Sequence, residues 1–203
     1  MEATENTKNK ETKKGEEIAL LRWKEEIINE RRQKDIFFKT HVQSPIPFEY
    51  RKQFEKLQYF EVNSEFRFKL KLYEHDDKKI IQIEDTKGVI RQFIRWGEFR
   101  FKVENEQCTL QAYKSNPDEE RLFIPFRDMT NGKETYGAGR YIDLGPDDRT
   151  EEGDWLLDFN RAYNPWCAYS ENYACPFVPP ENWLKIPIYA GEKNINLKMM
   201  ERE

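Results

Sequence analysis

The sequence predicts a mainly β chain of α+β class, an antiparallel β meander closing into a barrel or sandwich behind an N-terminal amphipathic helix. Three observations predict it. Apolar and charged residues alternate with period two along residues 66–72, further strand-like runs follow with turn chemistry and no helical stretch between them, and helix-spaced apolar residues are confined to the N-terminal region.

In chain order, the highly charged residues 1–15 read as a disordered tail. Across 16–43, Ile18, Leu21, Trp23, Ile27 and Ile28 recur at helical spacing without Gly or Pro, which predicts a helix whose apolar stripe packs on the domain. Ser44-Pro45 and Pro47 end it, because a residue before proline resists the α region and proline cannot donate. The β domain then spans 44–192, with a helical turn near Phe48–Leu57. Its clearest strand carries Phe66, Phe68, Leu70 and Leu72 on one face and Arg67, Lys69 and Lys71 on the other. Further strands are expected at Ile80–Glu84, Val89–Trp96, Glu98–Val103, Thr109–Tyr113, Leu122–Phe126, Arg140–Leu144 and Trp155–Phe159. From about Asn160, Pro, Asn, Tyr and Cys dominate an ordered but irregular wrap, with Leu184–Tyr189 as a last edge strand and 193–203 as a loose tail.

Composition narrows the function classes. A chain of 203 residues with 14% aromatic side chains can bury one real core, so wholesale disorder is excluded despite 35% charged residues. Lys and Arg are interleaved with Asp and Glu at a net charge of −4, which argues against a nucleic-acid surface. Residues 1–17 lack the apolar core of a cleavable signal, and no run is long and apolar enough to span a bilayer. Three cysteines are too few for a secreted disulfide scaffold, so a cytoplasmic location is expected.

The most unusual stretch runs from Asn131 to Leu144. Gly137 and Gly139 free the backbone before a strand, either for a bulge or for close approach of another chain or ligand. If Ile142 and Leu144 face the core, alternation places Arg140 on that inward face, where an unpartnered guanidinium would be very costly. Trp155, Leu157 and Phe159 are likewise in phase with Arg161. Two arginines converging at one end of the β core could clamp a carboxylate or phosphate, or be neutralised internally by Glu134, Asp143 or Asp158. Tyr136, Tyr141 and Tyr163 would line the same place. Cys167 and Cys175 bracket a loop and are open to four readings: buried thiols, a redox pair, a nucleophile or metal ligands. Neither His41 nor His75 forms a close Cys/His array with them, so no metal site is predicted. Phosphate-loop, dinucleotide, serine-elbow and zinc-protease motifs are absent from the sequence.

Leu122-Phe123-Ile124-Pro125-Phe126-Arg127-Asp128, Glu134-Thr135-Tyr136-Gly137, Gly139-Arg140-Tyr141 and Asp158-Phe159-Asn160-Arg161-Ala162-Tyr163-Asn164-Pro165 occur in that order, followed by Cys167-Ala168-Tyr169 and Cys175-Pro176. In these segments, and over roughly Phe38 to Glu192, the chain resembles the bacterial and archaeal domain-of-unknown-function family numbered sixteen eighty-four. The resemblance implies membership and carries no activity, substrate or cofactor.

The expected site lies at one end of a β-barrel and binds a small anionic metabolite. Arg140, Arg161, Tyr141, Asp143, Asn160, Tyr163 and Cys167 are its candidate ligand-binding residues, and Glu134 or Asp158 its candidate proton carriers with Tyr136 as donor. No cofactor is assigned, and whether the chain is an enzyme stays open. Rival readings are a non-catalytic interaction module or homodimer, and a flavin-dependent or thiol redox enzyme.

Overall fold

Lys, Glu and Arg fill the first forty residues, and these helix formers carry one long helix, α1, over Glu2–Thr40. The computed structural model describes residues 2–194. Helical backbone therefore covers residues 2–15 of the segment that composition assigns to a tail, and residue 1 and 195–203 of the expected loose C-terminus lie outside the described residues. Of the predicted stripe, Trp23 and Ile27 are buried whereas Ile18, Leu21 and Ile28 are exposed. The docked face is narrower and more polar than periodicity implies, running along Trp23, Ile27, Arg31, Lys34 and Phe38. Its polar heads reach acceptors on the domain: the Trp23 indole donates to Asp158 Oδ2 at 2.8 Å, and Arg31 donates to the carbonyl of Phe60 at 2.8 Å. Phe38 meets the edge of Tyr169 at 5.0 Å.

Eight antiparallel strands follow: β1 (Arg67–Leu70), β2 (Tyr73–Glu74), β3 (Ile80–Glu84), β4 (Ile90–Val103), β5 (Glu106–Lys114), β6 (Leu122–Phe126), β7 (Arg140–Leu144) and β8 (Trp155–Asp158). The larger sheet has the order β2-β4-β5-β6-β7 with β3 also on β4, and β1 pairs with β8 in a second sheet. Val89–Trp96 and Glu98–Val103 thus merge into one strand. A break in register between Arg95 and Gly97 marks where the two runs meet, and a Cβ at Gly97 would lie 2.7 Å from the Tyr73 carbonyl, so only glycine admits β2 there.

Between β5 and β6 the ladder is reduced to the pair Tyr113 and Phe123, because a side chain from the wrap occupies the gap. Asn182 donates to the carbonyls of Gln111 and Pro125 at 2.9 and 2.7 Å and accepts from the Gln111 amide at 2.7 Å. Leu184–Tyr189 is not the expected edge strand. It follows Arg127 and Met129 through isolated bonds, among them Leu184 N to Arg127 O at 2.8 Å, and Pro187 has no N–H with which to extend a ladder. The two sheets enclose one core of Phe99, Phe101, Leu110, Ile124, Phe126, Leu157 and Phe159. Among the described residues no ring of hydrogen-bonded strands closes around it.

Replacing Trp23 by Phe keeps the ring but strips Asp158 of a buried donor. It should lower unfolding free energy by about 1–3 kcal/mol, read from urea titration by far-ultraviolet circular dichroism.

Candidate functional site

Alternation along β7 does turn Arg140 inward with Ile142 and Leu144, and the partner it needs is internal. The side chain is completely buried opposite Asp128, Nη2 lying 2.9 Å from Oδ2. Both terminal nitrogens also donate to backbone carbonyls, Nη2 to Ile188 at 3.0 Å and Nη1 to Glu192 at 3.1 Å and to Ala190, while the buried Nε is without a hydrogen-bond partner among the described residues. Arg140 therefore pins the end of the wrap and is closed to ligands.

Arg161 lies elsewhere. β8 ends at Asp158 and Phe159–Arg161 is a 3-10 turn, so the period-two phase that would have brought Arg161 beside Arg140 is lost. Its guanidinium instead grips Glu30 of α1 at 2.8 and 3.0 Å and approaches Asp148 at 3.6 Å. The expected two-arginine clamp does not form.

Asp158 and Asn160 are also structural. Asp158 accepts from Trp23 and, through Oδ1, from the Asn160 amide at 2.9 Å and side chain at 2.8 Å. Asn160 clasps the Asn63 backbone in both directions at 2.8 Å. Both carboxylate oxygens of Asp158 are engaged, which does not suit a proton carrier. Glu134 belongs to the turn closed on the Thr130 carbonyl and accepts from the Asn194 amide through its own carbonyl at 2.8 Å.

Three other predicted residues do converge, on the outward face of β7. Tyr141 and Asp143 stand there beside Tyr163, whose hydroxyl donates to Asp143 Oδ2 at 2.6 Å, while the Tyr141 hydroxyl donates to the Pro176 carbonyl. Burial, with the Asp143 charge beside Tyr163, pushes both phenols well above their ordinary pKa. They act as fixed, protonated walls.

Around them an aromatic floor crosses three strands. Phe93 of β4 stacks on Phe123 of β6 with centroids 5.6 Å apart, Phe123 meets Tyr141 edge-on at 4.9 Å, and Tyr141 meets Tyr163 edge-on at 5.9 Å. Above this floor opens a groove of about 430 Å³, rimmed by Arg91, Ser115, Glu119, Arg121 and Pro176. Arg91 is braced by Asp85 at 2.9 Å and Arg121 by Asp143 at 3.3 Å, yet their side chains remain 45% and 54% exposed.

Sequence reasoning missed Arg91, Phe93, Arg121 and Phe123. A signal was present: Arg91-Gln92-Phe93 and Arg121-Leu122-Phe123 each put an arginine and a phenylalanine on one face of a strand.

A smaller open pocket of about 300 Å³ adjoins the groove across Tyr141 and Tyr163 and is lined by Pro165, Trp166, Tyr173 and Cys175. The Cys175 sulfur accepts the Cys167 amide at 3.3 Å, and Tyr136 reaches Cys167 Sγ from behind at 3.8 Å. The Cys167 thiol, the Cys167 and Trp166 amides and the Arg91 charge outweigh burial and hold Cys175 at about 7. Cys167 is pushed up by the same sulfur contact and by burial. Among the described residues no cluster of three or more His, Cys, Asp or Glu is placed to hold a metal.

Fold and site define an antiparallel, mainly β protein with a docked N-terminal helix and an arginine-rimmed aromatic groove on its outer face. The family model described as "Protein of unknown function (DUF1684)" matches residues 52–193, and the chain belongs to that family. It is similar to the uncharacterized protein from gene locus rrnAC0354 of Haloarcula marismortui, solved by solution NMR, with 35% identity and a TM-score of 0.68 over 89% of this chain and 98% of that one. No curated protein matches.

Arg140→Ala strands the Asp128 carboxylate in a dry site and should cost about 3–5 kcal/mol, measured by urea unfolding.

Proposed function

We propose that the protein binds a small anionic ligand with an apolar or aromatic body in the groove between β4, β6, β7 and the wrap. The arginines of this reading are Arg91 and Arg121, in place of Arg140 and Arg161. One observation carries it: two half-exposed guanidinium groups rim a groove floored by Phe93, Phe123 and Tyr141. Guanidinium offers paired N–H donors to carboxylate or phosphate, and the rings supply a flat apolar surface for the rest of the ligand. The groove is the size of ordinary small-molecule sites, and both rim arginines are oriented by carboxylates beneath them. Free Cys167 and Cys175 suit a reducing compartment such as the cytoplasm, and no helix among the described residues is long and apolar enough to cross a membrane.

Titration calorimetry against aromatic carboxylates and phosphate monoesters tests the reading. Arg91→Ala and Arg121→Ala should each weaken binding of a hit about tenfold or more, the loss of one charge-assisted contact; Arg121→Ala should change the melting temperature little because its head is exposed, whereas Arg91→Ala leaves the buried Asp85 without its cation and should lower it. Binding unaffected by both substitutions would sink it.

A second reading, self-association through α1, is supported by Ile18, Leu21, Ile28 and Ile36. All four are exposed, and their spacing gathers them on one side of the helix, away from Trp23 and Ile27. A dimer in analytical ultracentrifugation that Leu21→Glu with Ile28→Glu converts to monomer would support it; a monomer at all concentrations would remove it.

A further inference from the structure

The two cysteines of the wrap have a geometry that ligand binding in the groove does not use. Eight residues apart in sequence, they are brought together by the fold of the loop between them. Cys167 sits in the 3-10 turn Trp166–Ala168, and its amide points at the Cys175 sulfur. Cys175 is clamped from the far side: its amide donates to Thr86 Oγ1 at 3.2 Å, and its carbonyl accepts the Thr86 amide at 3.0 Å. Both cysteines are free thiols, and the side chain of each shifts the ionisation of the other, Cys167 upward and Cys175 downward. The cavity walled by Tyr141, Tyr163, Trp166 and Tyr173 reaches Cys175, which gives a small molecule a route to it. Charged and titratable groups facing the pair are Arg91 from β4, Tyr136 from the turn before β7, and Tyr141 from β7. Asp85, beside Thr86 at the end of β3, is the nearby carboxylate, and it is paired with Arg91 at 2.9 Å. Cys108 belongs to the separate core between the sheets and serves as an internal control.

We propose that Cys175 and Cys167 form a hydroperoxide-reducing thiol pair, with Cys175 as attacking sulfur and Cys167 as resolving sulfur. In the first step the Cys175 thiolate attacks the terminal oxygen of a hydroperoxide. An S–O bond forms, the O–O bond breaks, and the leaving alkoxide or hydroxide takes up a proton, so the peroxide gains two electrons and Cys175 becomes a sulfenic acid. In the second, the Cys167 sulfur attacks the Cys175 sulfur. The S–S bond forms, the S–O bond breaks, and the departing hydroxide leaves as water with the Cys167 proton. Two thiols and one hydroperoxide thus yield one disulfide, one alcohol or water, and one further water. A small dithiol restores the starting state by exchange.

The amide donors and the Arg91 charge favour the thiolate of Cys175 as they would favour any anion held there. A thiol held at about 7 carries more thiolate at neutral pH than an ordinary one, and its lower intrinsic nucleophilicity offsets part of that gain.

The test uses the full, reduced protein and one equivalent of hydrogen peroxide. The expected product is a monomer lighter by two hydrogens, with Cys108 still alkylated by N-ethylmaleimide once the oxidised protein is denatured, and fragments that stay joined through Cys167 and Cys175 after cleavage at Glu171. In Cys167→Ser, dimedone should trap a sulfenic acid on Cys175. In Cys175→Ser, Cys167 should react no faster than free cysteine. The wild-type rate should rise with pH and level off above about 7. Peroxide that leaves both wrap thiols open to alkylation, links copies through Cys108, or marks Cys167 first would overturn the proposal. The wild-type cross-link needs no variant to fold, so the test stands if either serine variant is unstable.

Discussion

The ion pair between Arg140 and Asp128 is the constraint from which much of the remaining structure follows. Neither side chain has any exposed surface. An unpaired charge in such a place would be prohibitive, so the chain is committed to the one path that brings the carbonyls of Ile188, Ala190 and Glu192 to the guanidinium. Asp128 holds the same path from the other side, its Oδ1 accepting the Ile188 amide at 3.2 Å and the Thr130 amide at 2.9 Å.

Consequences pass outward from that lock. Gly191 must adopt a φ of +78°, with a Cβ there falling 2.6 Å from the Ala162 carbonyl, and the strap then delivers Glu192 to a buried position. Its carboxylate accepts from the Tyr169 hydroxyl at 2.6 Å and the Asn164 amide at 2.7 Å, and is met by Lys34 of α1. A charge inside the sheet is thereby coupled, through one strap and one carboxylate, to the seating of the helix. Asp158 repeats the device with Trp23. The long helix, with little apolar surface to offer, is held chiefly by such polar contacts and a few buried rings.

β7 divides its two faces between these tasks. Arg140 and Ile142 look inward and build the molecule, while Tyr141 and Asp143 look outward and build the groove. The wrap supplies the opposing wall through Tyr163, Cys175 and Pro176, so groove and thiol pair alike depend on the strap being in place. Electrostatics also differ over a short distance. Burial drives Tyr141 and Tyr163 away from ionisation, whereas the Cys167 side chain, with amide donors and a nearby cation, draws Cys175 towards it.

Local pattern by itself determined the elements whose packing obeys a simple period. β3, β6 and β7 begin and end where alternation places them, and the inward turn of Arg140 follows from its phase with Ile142 and Leu144. Membership of the family was likewise legible in uncommon motifs in order. What only the tertiary structure decided was which partner each polar side chain meets. Arg140 and Arg161 look alike in a one-dimensional phase argument, yet one closes on Asp128 and the other on Glu30 of a helix 131 residues away in sequence, because a 3-10 turn ends the strand before Arg161. Arg91 and Arg121 look like ordinary solvent-facing charges until antiparallel pairing and the wrap bring them to one groove. Periodicity reports the face on which a side chain lies, while hydrogen bonds and charge pairs depend on distances between segments that meet only when the chain has folded.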